Sequence, residues 1–294
     1  MASGLSEKQF NDSMCGADAM RRRMLFPRGL LQPEGSYRFG TDALLLAAWA
    51  RQCISDSVKT QYRKPLLAAE LGTGCGAAML ALALALPNMR GTAIDFSSAC
   101  ISAAAANFSA LGFDGILEAV HDDVSRKGFP EDSAAGSCDL VFANPPWRNY
   151  EEGRNTQSPT RRRALTCLPG AGKSESACAC FAFAAAALLR HHGTYCCIMP
   201  AAKLPLLLSS FAAAKIGVRS ALFVHSRPDL PARAVCVEGK KNAADDMTVH
   251  PPLCLFDDAD AAKVQRYSAQ AFHFSPFLAS GDSAAFNICH GETL

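Results

Sequence analysis

Apolar residues in this chain occur in short runs that alternate with polar or glycine-rich segments. Continuous runs bounded by turn residues, such as Leu66 to Leu71 and Ile116 to Val120, are typical of strands buried in a sheet. Longer apolar stretches, such as Ala77 to Leu86, indicate helices. Because strands that alternate with helices form parallel sheets covered on both faces, the pattern predicts an α/β fold.

The same alternation continues along most of the chain. It predicts further strands at Met89 to Ile94, Asp139 to Ala143, Gly193 to Met199, Ala221 to Val224, Ala234 to Glu238 and Met247 to Phe256. It predicts further helices at Ala43 to Trp49, Ser97 to Leu111, Cys178 to Arg190, Leu204 to Lys215 and Ala259 to Ala271. We expect one domain over residues 25–278, a flexible basic tail over 1–24 and a second tail over 279–294.

Composition excludes several classes of protein. Of the 294 residues, 49 % are apolar and 19 % charged, enough for a large core, while the net charge of +2 gives no global field that would attract nucleic acid. The 13 cysteines lack any C-x-x-C pair, so we expect reduced thiols and no metal site. The run Ala177 to Leu189 is shorter than the ~18 residues of a membrane span, and no signal peptide is visible. These features predict a cytoplasmic protein without membrane contact.

A glycine-rich loop lies between the first predicted strand and its helix. The segment reads Glu70-Leu71-Gly72-Thr73-Gly74-Cys75-Gly76. Glycines let a ligand approach the main chain closely, and the helix that follows offers free N–H groups to an anion. Acidic residues end the next two strands, Asp95 on one and Asp122 and Asp123 on the other. Because carboxyl ends of parallel strands meet at one edge of a sheet, these features predict a nucleoside-like cofactor there.

The fourth strand stops abruptly at Asn144-Pro145-Pro146-Trp147. An amide oxygen, a backbone carbonyl and an aromatic ring at one strand tip suit a planar substrate with an amino group. The amino group of a purine is a poor nucleophile because its lone pair is delocalised into the ring. Two fixed acceptors would favour a more tetrahedral nitrogen and stabilise the positive charge that develops during attack.

Two segments beside these motifs are candidates for substrate contact. Tyr37 and Arg38 precede Gly40, Thr41 and Asp42, where a helix is predicted to begin with an acid in its first turn. The long polar segment after Trp147 has five arginines, a residue type suited to phosphate recognition. They are Arg148, Arg154, Arg161, Arg162 and Arg163. We expect this segment to act as a recognition loop, although a solvated loop would have the same composition.

Together these motifs resemble those of class I S-adenosylmethionine-dependent methyltransferases. More narrowly, the segment Tyr37 to Leu46 combined with Asn144-Pro-Pro-Trp looks like the YfiC-type tRNA (adenine-N6)-methyltransferases. The resemblance covers roughly Leu31 to Phe277. It implies a Rossmann-like, doubly wound, mostly parallel seven-stranded sheet. It also implies S-adenosylmethionine as cofactor, no metal, and direct in-line methyl transfer to an adenine N6, most simply in a tRNA anticodon loop.

The resemblance also implies residue roles. Glu70, Gly72, Thr73, Gly74 and Gly76 would hold the methionine amino and carboxylate groups, with Thr41 and Asp42 closing that end of the pocket. Asp95, followed by Phe96, would bind the ribose, and Asp123, preceded by Asp122, the cofactor adenine. Asn144 and Pro145 would accept from the target N6, Pro146 would follow, and Trp147 would stack on the base. Asn144 would also contribute to the cofactor site. Tyr37, Arg38 and the five loop arginines would contact RNA.

Other functions share parts of this pattern. A protein glutamine N5-methyltransferase also presents an amide to N-P-P-Tyr, but it would need an N-terminal peptide-binding domain, and about 64 residues precede the first strand here. A DNA adenine enzyme would need a target-recognition domain that is not visible. A non-catalytic RNA-binding protein could keep the fold, although the intact Asn144-Pro-Pro argues against it. Oligomeric state is not indicated by the sequence, and a monomer is assumed.

Overall fold

A mixed sheet with helices on both faces forms the centre of the computed structural model, which describes residues 7–36, 38–58, 64–126, 128–130, 135–146, 177–257 and 266–281. Its strands are β1 Leu66–Leu71, β2 Met89–Asp95, β3 Leu117–His121, β4 Cys138–Ala143, β5 Leu189–Pro200, β6 Ile216–His225, β7 Ala232–Lys241, β8 Thr248–Val249 and β9 Leu253–Cys254. The α-helices are α1 Glu7–Leu25, α2 Thr41–Val58, α3 Ala77–Ala85, α4 Ser98–Ala110, α5 Ala177–Leu188, α6 Leu204–Ala213 and α7 Ala269–Phe274. Short 3₁₀ helices cover Ala201–Lys203 and Pro276–Gly281.

The strand order is β3-β2-β1-β4-β5-β7-β6-β8, with β9 also paired to β6. Strands β1 to β5 pair in parallel, whereas β7 lies antiparallel between β5 and β6. The prediction of a doubly wound, mostly parallel sheet is therefore confirmed. Seven strands form its body, and the two-residue strands β8 and β9 extend its edge. The chain reverses its direction of travel across the sheet between β1 and β4, where ligand crevices form in such folds.

Apolar side chains fill both faces of this sheet. On one face, α2, α3 and α4 cover the strands, with Trp49 and Met79 fully buried. On the other, α5 and α6 pack Phe181 and Phe211 against Tyr195. Residues Ala77 to Ala83 of α3 are all buried, which explains why this helix lacks a polar face. Burial on both faces also explains the uninterrupted apolar runs of the central strands.

The N-terminal segment differs from the predicted tail, because Glu7–Leu25 forms the helix α1. Arg23 joins this helix to the end of α4: its Nε donates to the Leu111 carbonyl at 2.6 Å and its Nη2 to the Gly112 carbonyl at 2.9 Å. The guanidinium also lies 4.5 Å from the centre of the Phe113 ring. This contact joins residues almost 90 positions apart, so local sequence gives no sign of it.

Several other predicted boundaries are wrong. The strand predicted over Met247 to Phe256 forms only as β8 and β9, and β6 begins at Ile216 rather than Ala221. The helix predicted from Ala259 begins, within the described residues, only at Ala269, because Ser268 is its N-cap and accepts from the Ala271 N–H at 3.0 Å. Strand β5 begins at Leu189 rather than Gly193, so α5 ends before Arg190. The pairing of Cys138 with Leu189, before a register shift, extends the strand through its polar residues.

Ten cysteines whose side chains the structure describes are free thiols, and nine of these ten are buried. Within the described ranges, no helix combines the length and apolar character that crossing a bilayer requires.

Candidate cofactor and acceptor site

A cleft of about 950 Å³ opens at the carboxyl ends of β1 and β4. The predicted site residues that line it are Asp42, Glu70, Gly72, Thr73, Gly74, Asp95, Phe96, Asn144, Pro145 and Pro146. Its other lining residues are Ser36, Phe39, Gly40, Ala43, Leu46, Cys75, Ala77, Ala78, Ser97 and Cys100. The topology thus brings the glycine loop, the second strand end and the Asn144 tip to one cavity.

The glycine loop has a left-handed backbone at Gly72, Gly74 and Gly76, with φ of 69°, 56° and 82°. These glycines differ in what surrounds them. A Cβ at Gly76 would lie 2.5 Å from the Phe108 ring, so this glycine lets α4 pack against the loop. A Cβ at Gly74 would meet nothing within 4 Å. Gly74 therefore faces the open space that a ligand would occupy.

Glu70 is a buried acid at the floor of the cleft, 5 % exposed. Its Oε2 accepts from the Thr73 hydroxyl at 2.7 Å and from the Met79 N–H, in the first turn of α3, at 3.0 Å. Burial, with a smaller contribution from the neighbouring Asp95, raises the pKa of this carboxyl to about 8, although these hydrogen bonds act to lower it. A cationic ligand group would offset this cost of ionisation.

Asp95 ties the loop to the second strand. Its Oδ2 accepts from the Gly74 N–H and its Oδ1 from the Ser97 N–H, both at 2.9 Å. The hydroxyl of Ser97 in turn caps α4. Both carboxylate oxygens of Asp95, a residue that lines the cleft, thus hold backbone N–H groups in place.

The start of α2 forms another wall of the cleft. Asp42 lines it and has Arg233, from the start of β7, at 3.9 Å. Thr41 is buried behind it, and its hydroxyl lies 2.9 Å from the Tyr267 hydroxyl. Thr41 therefore supports the wall rather than facing the cavity. Sequence reasoning missed Tyr267 and Arg233. Tyr267 lies 226 positions after its partner Thr41, and Arg233 lies about 190 positions after Asp42, so no local pattern links them.

Asn144, Pro145 and Pro146 follow β4 directly and line the cleft. Asn144 is half-buried, and its side-chain amide makes no hydrogen bond to any described residue. A polar amide at this position is available to a ligand. The cofactor-side groups and this amide therefore face one cavity.

Four of the residues predicted to bind the cofactor do not line the cleft. Besides Thr41 and Gly76, these are Asp122 and Asp123, at the end of β3. Asp122 is bound to Arg126 at 2.7 and 2.8 Å, and these hydrogen bonds hold its pKa below the usual range. Asp123 accepts from the Ser125 hydroxyl at 2.6 Å. Their assignment to the cofactor adenine remains a prediction.

Most of the predicted RNA contacts lie outside the described residues. These are Tyr37, Trp147, Arg148, Arg154, Arg161, Arg162 and Arg163. Arg38 is described and exposed, in the segment that leads into α2.

Comparison with known proteins supports the motifs. No protein-family model matches the chain. Over 246 residues it is 24 % identical to the tRNA1(Val) (adenine(37)-N6)-methyltransferase of Flavobacteriaceae bacterium strain 3519-10, covering 84 % of this chain and 94 % of that enzyme. Over 131 residues it is 34 % identical to the release factor glutamine methyltransferase of Chlorobaculum tepidum, covering 43 % of each. The match thus spans less than half the length of that second relative.

Solved structures share the architecture. A predicted O-methyltransferase from Agrobacterium tumefaciens superposes with a TM-score of 0.59 at 17 % identity, covering 81 % of this chain and 96 % of its own. A type I restriction-modification methyltransferase subunit from Streptococcus thermophilus gives 0.54 at 12 % identity, covering 84 % and 54 %. At such identities the likeness concerns the fold alone.

In fold and in sequence motifs the chain resembles the class I S-adenosylmethionine-dependent methyltransferases. Within that class, its resemblance to the tRNA (adenine-N6)-methyltransferases is confirmed by a relative that aligns over most of both chains. S-adenosylmethionine is accordingly the expected cofactor.

The cleft suits this cofactor. Three carboxyl groups line it, from Asp42, Glu70 and Asp95, and none of its described lining residues is a lysine or an arginine. S-adenosylmethionine presents an ammonium and a sulfonium cation to such a surface. The open space over Gly74 accommodates a ligand against the backbone, and Glu70 is a buried acid that gains from a cationic partner.

Proposed function

We propose that this protein methylates the N6 amino group of an adenine in RNA, within a tRNA anticodon loop. The observation that carries the proposal is the Asn144 amide, which makes no hydrogen bond to a described residue and lines the same cavity as Glu70 and Gly74. With the neighbouring Pro145 carbonyl, it would offer acceptors for two amino hydrogens beside the expected cofactor site.

The chain's own groups would act on the acceptor nitrogen. Asn144 Oδ1 and the Pro145 carbonyl would each accept one N6 hydrogen, holding the nitrogen with its lone pair directed into the cleft. Dipoles held at these positions would stabilise positive charge on the nitrogen at little cost in reorganisation. The bound cofactor supplies an electrophilic methyl group. The surplus N6 proton then passes to solvent, since an amide oxygen is too weak a base to keep it.

RNA is favoured over protein as the acceptor by two observations. The alignment with the tRNA enzyme covers most of both chains, whereas the alignment with the glutamine enzyme covers 43 % of each. In addition, Arg21, Arg22 and Arg38 are exposed on α1 and the segment between it and the cleft. Arginines so placed would contact phosphates and leave the cleft free for a base. A tRNA substrate would also place the enzyme in the cytoplasm.

Glutamine N5-methylation is the second candidate. It would use the same Asn144-Pro145 acceptors on a side-chain amide, and the 34 % identity to a release factor enzyme over the matched segment favours it.

The test is methyl transfer from labelled S-adenosylmethionine with unfractionated tRNA and purified release factor offered in separate reactions. We expect label in tRNA, recovered as N6-methyladenosine after nucleoside analysis, and none in the factor. Label in the factor alone would replace the RNA proposal by the glutamine one. Cofactor binding without transfer to either acceptor would contradict both.

A further inference from the structure

We propose that Asn107 is a positioning residue for the cofactor cleft, because it ties the glycine loop to residues 30–36 and 38–40, termed here the strap. The proposal rests on the cleft binding S-adenosylmethionine and is independent of the methyl acceptor. Asn107 lies on α4, outside the cleft lining, and is only 2 % exposed.

All hydrogen-bonding groups of this carboxamide are engaged. Its Oδ1 accepts from the Leu31 N–H at 2.8 Å, while Nδ2 donates to the Leu31 carbonyl at 3.0 Å and to the Cys75 carbonyl at 2.9 Å. The pairing with both backbone groups of Leu31 fixes the orientation of the amide. After a flip, Nδ2 would face the Leu31 N–H and Oδ1 would face the Leu31 carbonyl. One buried side chain thus joins two segments that are 44 residues apart in the chain.

The strap carries this constraint to the cleft. Next to Leu31, Gln32 accepts through Oε1 from the Phe39 N–H at 3.2 Å. Phe39 and Ser36 line the cleft, and the strap ends where α2 begins with Thr41. A shift of the strap at Leu31 would therefore move the Phe39 wall.

The other partner of Asn107 sits in the glycine loop. Cys75 follows Gly74, whose N–H is bound to Asp95, so the loop is held at two adjacent residues. Asp95 holds it from β2 and Asn107 from α4. With the Asn107 donors removed, the loop loses its attachment to α4 and keeps attachments to β2, from Asp95 and from the Ile94 carbonyl, which accepts from the Gly72 and Thr73 N–H groups. The strap and the glycine loop, which form two walls of the cleft, would then no longer be held by one side chain.

The test is the S-adenosylmethionine dissociation constant, measured by calorimetry at a temperature where circular dichroism shows each variant folded. Asn107→Asp is nearly isosteric, but it loses both donors and sets a carboxylate beside two carbonyls. We expect its dissociation constant to rise about tenfold or more. Gln32→Ala breaks only the Phe39 link, and it should weaken binding about threefold at nearly unchanged melting temperature.

Ser210→Ala is the matched control for stability. Ser210 is equally buried, on α6, and donates to the Leu206 carbonyl at 2.8 Å, away from the cleft. It should lower the melting temperature and leave the dissociation constant within about twofold. If Asn107→Asp lowers the melting temperature and keeps the parent dissociation constant, the positioning role is wrong.

The outcomes separate this proposal from the proposed function. Should Asn107→Asp fail to fold, an unchanged dissociation constant in Gln32→Ala overturns the role of the strap. If the parent protein itself binds no S-adenosylmethionine, the cofactor assignment fails, and the role of Asn107 fails with it. Where transfer is measurable, the variants should raise the cofactor KM more than they lower kcat.

Discussion

Glu70 is the residue for which folding and cofactor binding favour different protonation states. It is buried, bound by Thr73 and the Met79 N–H, and close to another acid, Asp95. With a folded-state pKa of about 8, against the usual 4.5, the acid is largely protonated at neutral pH. Proton binding by Glu70 therefore stabilises the free protein below about pH 4.5, and this stabilisation is lost as pH rises through about 8.

Cofactor binding should have the opposite dependence, since an ammonium group needs the ionised carboxylate. Between about pH 5.5 and 6.5 we expect the S-adenosylmethionine dissociation constant to fall on the order of tenfold, below the range where the cofactor's amine itself titrates. Glu70→Gln should bind more weakly and show a flat profile. Glu118→Gln, an exposed acid on β3, is the control and should keep the parent profile. A parent profile as flat as that of Glu70→Gln would show that Glu70 does not pair with the amine.

The glycine loop serves two purposes. One of its glycines is required for packing, and another leaves room for the ligand. Gly76 is the N-cap residue of α3. The fold needs a glycine there because a side chain would collide with the Phe108 ring of α4. Gly74 faces open cleft, so a side chain there meets the ligand instead.

Substitutions at the two glycines should therefore fail differently. Gly76→Ala forces Phe108 to move and should destabilise the protein by about 2–3 kcal/mol, seen as a lower denaturation midpoint. Gly74→Ala should lose about 1–2 kcal/mol through its left-handed backbone alone, yet abolish measurable cofactor binding. Each variant serves as the control for the other. Normal cofactor affinity in folded Gly74→Ala would contradict the placement of the ligand against the loop.

At the scale of the whole molecule, sequence motifs predicted the residues of the site better than the residues that hold the site in place. Strand ends and glycine spacing were enough to place Glu70, Asp95 and Asn144 at one edge, because parallel strands bring their carboxyl ends together. Asn107, Arg23 and Tyr267 were not predicted, since their partners lie far away in the chain. The antiparallel placement of β7 likewise depends on pairing with β5, which the alternation of strands and helices does not specify.

The topology explains why one cleft can receive two substrates. The crevice between β1 and β4 has the glycine loop on one strand and the Asn144 tip on the next, so the proposed cofactor groups and acceptor groups are adjacent. The central claim follows: removal of the Asn144 amide should stop transfer and spare cofactor binding.

The measurement that tests this claim most directly is single-turnover methyl transfer to tRNA by Asn144→Ala, with cofactor affinity measured on the same sample. Asn88→Ala, an exposed asparagine ahead of β2 at the opposite edge of the sheet, is the control. We predict parent-like cofactor affinity for both variants, parent-like transfer by Asn88→Ala, and a transfer rate at least about 100-fold lower for Asn144→Ala. Transfer by Asn144→Ala at the parent rate would show that the tip of β4 is not where the acceptor amine is held.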